Sequence, residues 1–298
     1  MGTKITGINV VKVVDGDTLH VNLNGKVERI RLTNVDTEES HPGGTKPVTD
    51  LGIRTSQMAK EYFNIVEGGA AVIVDLEFDT DDPAEECLKI HRDNFGRILC
   101  YVLKNNENYN LKLIEVGWSP YFEKYGRARV YHTESTNAER LAQSKNLLIW
   151  NNIENQSGHT RGNYSELKNW WNTRALIVED YRQQGKGAGV LSVRLDYEKI
   201  LAAAEREDKV SILCDLQGGI NKWTDDAALI YAGSQFHKLN LWIPDRTQET
   251  AIEILNLITK RYLELGRGYV YVKGKVSKFN NVPQIVLTSI DQLSDFPT

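Results

Sequence analysis

The chain has 298 residues, 41% of them hydrophobic and 26% charged, with a formal net charge of −4. This is ordinary globular composition, and the length suits one to three domains, each able to build a core. No run of about 18 apolar residues occurs, so no transmembrane helix is expected. The slightly acidic balance argues against non-specific coating of nucleic acid but leaves room for a locally positive groove.

The N-terminus lacks the charged start and apolar run of a signal peptide, which points to the cytoplasm; a secreted form with its signal removed stays open. Met1-Gly2-Thr3-Lys4-Ile5-Thr6 fits the loose myristoylation pattern, in which few positions are constrained. Residues 5–35 then alternate in the manner of strands. Ile8–Val14 leads into the turn Asp15-Gly16-Asp17, Thr18–Leu23 alternates again, and Asn24-Gly25 is a hairpin signal before Val27–Leu32. Residues 36–52, with His41, Pro42, Gly43, Gly44 and Pro47, read as a loop. Arg54–Val66 has helical spacing and stops at Gly68-Gly69. Strands are expected at Ala71–Phe78 and Arg97–Val102, separated by an acidic, solvated loop from Asp79 to Glu86. Helices are expected at Asn110–Val116 and Glu134–Asn146. The order β-β-β-α-β-β-α-α predicts a five-stranded OB-type barrel.

Polar residues 153–163 read as a linker between a domain at 1–152 and a second at 164–298. The second half shows helices at Tyr164–Gln183, Asp196–Arg206 and Thr247–Leu265. Strands are expected at Val210–Leu216, Ala227–Tyr231, Leu239–Ile243, Tyr269–Val276 and Gln284–Leu287. The glycine run 185–189 lacks the Gly-Lys-Ser/Thr of a phosphate loop and reads as a plain loop. The closing segment resembles the end of an OB-fold, so the fold class is β-rich α+β, a barrel followed by a second small OB-like α+β domain. No internal repeat is visible. Cys87, Cys100 and Cys214 are scattered, with no disulfide framework or zinc spacing.

Four segments carry candidate chemistry: Asp15-Gly16-Asp17-Thr18 at a turn, Arg31 to Glu39 at a strand end, Asp93-Asn94-Phe95-Gly96-Arg97 before a strand, and Leu113–Gly117 closing a helix. Each alone reads as a solvated turn. As a set, with Arg31 five residues before Asp36-Thr37 and eight before Glu39, and with Phe95-Gly96-Arg97, Asn110-Leu111 and Gly117 following, they resemble the thermonuclease (staphylococcal-nuclease-like) family over residues 5–150.

The resemblance implies a calcium-dependent endonuclease that hydrolyses DNA or RNA with little sequence specificity and leaves 3′-phosphate ends. It implies that Asp17 and Asp36 and the backbone carbonyl of Thr37 hold Ca2+, which takes six to eight oxygen ligands. Glu39 would serve the attacking water as general base or orienter. Arg31 and Arg97 would grip the phosphate, since a guanidinium can donate two parallel hydrogen bonds to it. Phe95, Tyr125, Tyr121 and Lys124 would contact substrate, with Tyr125 the better stacking candidate of the two tyrosines. The expected partner is nucleic acid, single strands favoured, with no membrane; the C-terminal domain offers a route to an oligomer or a protein partner. One departure stands out: Glu38 occupies the place where the family commonly has Pro, adding negative charge beside the site. The alternative is an inactive barrel that binds nucleic acid or protein; such a barrel would be expected to lose these acids and arginines, and here they are all present. In the second half, Lys273, Lys275 and Lys278 interleave with Tyr269, Tyr271 and Phe279, a pattern that fits a single-strand binding face and ordinary sheet residues equally.

Overall fold

The computed structural model describes residues 1–43, 46–64, 72–151, 159–216, 220, 222, 223, 226–264 and 268–297. The Gly68-Gly69 stop, Ala71, Leu265 and most of the expected linker lie outside these residues. Two compact units result: Met1–Asp93 with Arg97–Asn169, and Asn94–Gly96 with Trp170–Thr298.

The first unit opens with a meander of β1 (Lys4–Asp15), β2 (Thr18–Leu23) and β3 (Lys26–Leu32). Asn24 and Gly25 both take positive φ, 51° and 81°, which a two-residue hairpin requires. The resulting register sets Leu19 opposite Ile30 and Thr18 opposite Arg31. Strand β1 pairs with β2 through its second half and with β4 (Val72–Glu77) through its first, with register breaks between Val10 and Lys12, between Val13 and Asp15, and between Ile5 and Ile8. Such bulges bend a strand, and the bend lets one long strand serve two neighbours of a barrel. Strand β5 (Ile98–Lys104) pairs antiparallel with β4 and parallel with β3, which closes a five-stranded barrel. The short strand β6 (Glu107–Asn108) adds to β5.

Inward alternation fills the barrel with Leu19, Val21, Ile30, Leu32, Val74, Leu76, Ile98, Cys100 and Val102. Helices add Phe63 from α1 (Asp50–Phe63) and Tyr109 and Leu113 from α3 (Tyr109–Glu115). Each such burial contributes about 1.5–3 kcal/mol. Asn110 ties α3 to the closing seam: its Oδ1 accepts from Val102 N–H at 3.0 Å, and its Nδ2 donates to the carbonyls of Thr33 at 2.9 Å and Cys100 at 3.3 Å.

The acidic stretch differs from the expected solvated loop. Residues Ala84–Ile90 form helix α2, and Asp79 accepts from the backbone N–H groups of Arg129 and Val130 and from the Tyr101 hydroxyl. The carboxylates here fasten the segment that leads into α4 (His132–Ser144).

Helix α5 (Tyr164–Asp180) follows, and the helical path continues in wider turns over Tyr181–Gly185. The second unit contains β7 (Leu191–Ser192), α6 (Tyr197–Arg206), β8 (Lys209–Asp215), β9 (Lys222–Trp223), β10 (Ala228–Gly233), β11 (Lys238–Ile243), α7 (Glu249–Leu257), β12 (Tyr269–Phe279), β13 (Val282–Val286) and β14 (Leu293–Ser294). The pairings are β10 with β11 antiparallel, β11 with β13 parallel, β13 with β12 antiparallel and β12 with β8 antiparallel; a bridge between Leu216 and Ala232 brings the end of β8 to β10. This is the pairing plan of the first unit, and α7 stands between the third and fourth strands of the plan, as α1 does. The core is Ile212, Cys214, Ile230, Leu241, Ile254, Val270, Val272 and Ile285 with their neighbours.

In the basic-aromatic pattern of this half the two tyrosines belong to the core, while Lys273, Lys275, Lys278 and Phe279 are exposed. Tyr269 and Tyr271 are buried, and Tyr271 donates to the carbonyl of Ile177. Lys275 pairs with Glu207 and Lys278 with Glu205.

Candidate active site

The turn Asp15-Gly16-Asp17 joins β1 to β2, and Arg31 sits across from Thr18 near the end of β3. The Asp17 carboxylate accepts from Thr18 Oγ1 at 2.9 Å, from the Thr37 N–H at 2.9 Å and from Arg31 Nη1 at 2.9 Å. Arg31 Nη2 reaches Asp36 Oδ1 at 2.6 Å, and Nη1 also donates to the carbonyls of Val35 at 2.9 Å and Leu32 at 3.2 Å. One guanidinium therefore draws both carboxylates to a single point. The Asp36 N–H donates to Ser119 Oγ at 2.8 Å, fixing the backbone there.

Asp36 is also in contact with two cations that sequence reasoning did not single out. Lys46 Nζ lies 2.9 Å from each of its oxygens, and Arg161 Nη2 lies 2.7 Å from Oδ2. Burial pushes the Asp36 carboxyl up, but Arg161, Lys46 and Arg31 outweigh it and hold the group ionised, well below the usual carboxylate range.

Glu39 is 36% exposed and 3.5 Å from Lys46. Burial raises its carboxyl above the ordinary value; Lys46 opposes the rise, while Asp17, Asp36 and Asp15 add to it. Its backbone is fixed by the first turn of α1: the Thr49 N–H donates to the Glu39 carbonyl at 3.2 Å, and Gly52 packs directly on that carbonyl. Asp15 links turn and loop, accepting from the N–H groups of Gly16 at 2.8 Å and Ser40 at 3.2 Å.

Arg97 Nε donates to Asp93 Oδ2 at 2.7 Å, and its Nη1 donates to Thr18 Oγ1 at 3.3 Å. Thr18 in turn bonds Asp17, so Arg97 joins the same network. Phe95 is 62% exposed on the loop before β5. Tyr125 is half-buried, with Lys124 Nζ 5.2 Å from its ring centroid. Tyr121 is a correction. Its ring is buried in the barrel core, and its hydroxyl accepts from the Ala128 N–H at 2.7 Å and meets His132 Nδ1 at 2.9 Å. A ring so enclosed has no face for a base.

Glu38 is a second correction. It adds no open charge beside the site; it is buried and takes hydrogen bonds from Thr49, the Arg161 N–H and the Tyr164 hydroxyl.

A family model described as "Staphylococcal nuclease homologue" matches residues 29–152. A thermonuclease of Staphylococcus intermedius is 32% identical over 141 residues, 47% of this chain and 74% of that protein. The chain belongs to the staphylococcal nuclease family. An uncharacterized protein of Methanocaldococcus jannaschii is 34% identical over 164 residues, 48% of this chain and 70% of that protein. The SPbeta prophage-derived endonuclease YokF of Bacillus subtilis is 27% identical over 147 residues, covering 49% of this chain and 45% of that protein. These matches cover about half of the chain. Membership of this nuclease family implies a nucleic-acid substrate.

Against the family model, the turn Asp15–Asp17 lies before the matched residues and Arg161 after them. Among the described residues no three His, Cys, Asp or Glu side chains gather as a metal cluster, so a divalent ion would draw on two carboxylates. Those two fit it chemically. Asp17 and Asp36 are hard oxygen donors, the kind such an ion takes, and they meet at one guanidinium. Among the described residues, no helix is long and apolar enough to cross a membrane.

Proposed function

We propose that the first unit is a calcium-dependent endonuclease hydrolysing phosphodiester bonds of DNA or RNA, with little sequence preference and 3′-phosphate products. The observation that carries this reading is that Asp17 and Asp36 meet at Arg31, with Lys46 bridging Asp36 to Glu39, on a barrel whose relatives include a thermonuclease and an endonuclease. Asp17 and Asp36, with the Thr37 carbonyl, are the proposed calcium ligands. When bound, calcium supplies charge neutralisation at the scissile phosphate.

The chain's own residues supply the rest. Glu39, partly exposed beside Lys46, is assigned the proton transfer from water. Arg31 and Arg97 bear on the anionic phosphate, Arg31 from beside the carboxylates and Arg97 through the Thr18 link. Phe95 and Tyr125 offer rings for bases, and Lys124 offers charge along a single strand.

The test is cleavage of labelled single-stranded DNA with calcium or with chelator, for the wild-type chain and Glu39→Gln. We expect cutting that needs calcium and falls by about 10²–10⁴-fold in the variant. Tight binding without cutting under several divalent metals would establish the inactive binding barrel instead.

A further inference from the structure

The Glu38 side chain is 1% exposed. Burying a carboxylate costs several kcal/mol unless it is paired and hydrogen-bonded. Its Oε2 accepts from Thr49 Oγ1 and from the Arg161 N–H, both at 3.0 Å; its Oε1 accepts from the Tyr164 hydroxyl and lies 3.8 Å from Arg161 Nε. The Leu51 N–H donates to the His159 carbonyl at 3.3 Å, and the Tyr164 ring lies edge-on to Trp150 at 5.9 Å. The Arg161 guanidinium lies 5.3 Å from the Tyr164 ring centroid. These bonds fix the backbone of residues 159–164, beyond the family match, and aim Arg161 at Asp36.

The consequence is a carboxylate held on both sides. Arg31 takes Asp36 Oδ1 and Arg161 takes Oδ2, and these guanidiniums are 11% and 8% exposed. Lys46, at 37%, is the exchangeable cation of the three. We propose that Arg161 is a positioning residue of the nuclease site, fixing Asp36 through Oδ2, and that Glu38 is the anchor that keeps it there. The proposal rests on the nuclease reading above.

Arg161 acts on Asp36 in two ways that can be separated. Its positive charge opposes a divalent cation at the same carboxylate. Its planar guanidinium, held by Glu38, meets Oδ2 from one fixed direction, which an ammonium on a flexible stem does not. Removing it therefore tightens calcium binding while slowing turnover. Loss of a merely structural contact would weaken both.

The experiment compares the wild-type chain, Arg161→Gln, Arg161→Lys and Glu38→Gln. Calcium affinity is read by calorimetry on the metal alone, kcat and KM on single-stranded DNA, and folding by thermal melting. For Arg161→Gln we expect calcium binding about three- to tenfold tighter, kcat lower by about tenfold or more, and KM within about twofold. Arg161→Lys should return calcium affinity to the wild-type value with only partial recovery of kcat. Glu38→Gln should move both quantities in the direction of Arg161→Gln. Unchanged calcium affinity and kcat in Arg161→Gln overturns the proposal. Weaker calcium binding with a lower melting temperature also overturns it, assigning Arg161 to the fold alone. A raised KM at constant calcium affinity overturns it in favour of direct phosphate binding. A wild-type chain that neither binds calcium nor cuts removes the nuclease reading and the proposal together. A wild type that does both while Arg161→Gln matches it removes the proposal only.

Discussion

At the scale of single residues, the site depends on close approaches as much as on charges. Gly52 stands in the first turn of α1, where a Cβ would lie 2.0 Å from the Glu39 carbonyl oxygen and 2.4 Å from its carbon. Backbone atoms cannot yield as a flexible side chain would. Gly52→Ala must therefore displace either α1 or Glu39, at about 1–3 kcal/mol of stability. Because Glu39 carries the proposed proton transfer, kcat should fall by about tenfold or more, with the KM for DNA little changed; kinetics and urea unfolding of the same sample check this. Full activity would show that the Glu39 backbone is not what places its carboxylate. Nothing in the sequence marked Gly52, because a glycine required by the approach of another backbone looks like any other glycine in a polar loop. Asp17, Arg31, Asp36 and Glu39 stood out in the sequence as a set; the pairing of Thr18 with Arg31 brings the first two together, while Asp36 and Glu39 are fixed by Ser119 and Thr49 from outside the meander. Arg161 was not legible: it lies 123 residues from Glu38, and only tertiary packing joins the two. Of Tyr121 and Tyr125, at least one is expected in the core, and only burial shows that it is Tyr121, because stacking and core tyrosines look the same in sequence.

At the scale of elements, the strands and long helices of both halves follow the periodicity read from the sequence, and the differences occur where side chains fasten loops. Helix α2 falls in a stretch whose acids suggested solvation, yet the Asp79 carboxylate accepts from the Val130 N–H, and the Asp82 carboxylate accepts from Thr80 Oγ1 and meets the His91 ring. Asp196 does the same in the second unit. It accepts from the Ser192 N–H at 2.9 Å, the Tyr181 hydroxyl at 2.9 Å and Lys199 Nζ at 2.7 Å, joining β7, the end of the α5 path and α6. Burial raises its carboxyl, but Lys199, Ser192 and Tyr181 outweigh that and hold it below the ordinary 3.8. A depressed folded-state pKa contributes stability that is present above the unfolded value and is lost as pH falls through the folded one. Asp196→Asn should thus destabilise the second unit by about 1.5–3 kcal/mol at neutral pH. The gap from wild type should narrow once the pH drops below 3.8. Urea unfolding at neutral pH and at about pH 3 measures it. An equal gap at both would assign the effect to hydrogen-bond geometry rather than to charge.

At the scale of the whole molecule, two barrels share one strand-pairing plan with no repeat visible in the sequence. The plan constrains only which positions face inward, and Leu, Ile, Val, Ala and Cys exchange freely at such positions, as the two cores show. Composition was also a poor guide to where the first unit stops. Lys168 reaches Glu139 at 3.0 Å, Glu123 at 3.5 Å and the Tyr121 carbonyl, and both acids are buried. Burial raises the Glu139 carboxyl, and Lys168 and the Tyr121 N–H offset this. A chain ending at residue 152 would strip Glu38, Glu123 and Glu139 of these partners, leaving three buried carboxylates short of compensation. Breaking one buried pair by removing a partner costs about 3–5 kcal/mol, a large part of a domain's net stability. A chain of residues 1–152 should therefore unfold at markedly lower urea than one of residues 1–180, which keeps Arg161, Tyr164, Lys168 and the whole of α5. Because the lost partners neutralise acids, the deficit should shrink as pH falls and the carboxylates take up protons. Equal unfolding midpoints would mean that the family-matched barrel is self-sufficient and that residues 159–168 merely lie against it.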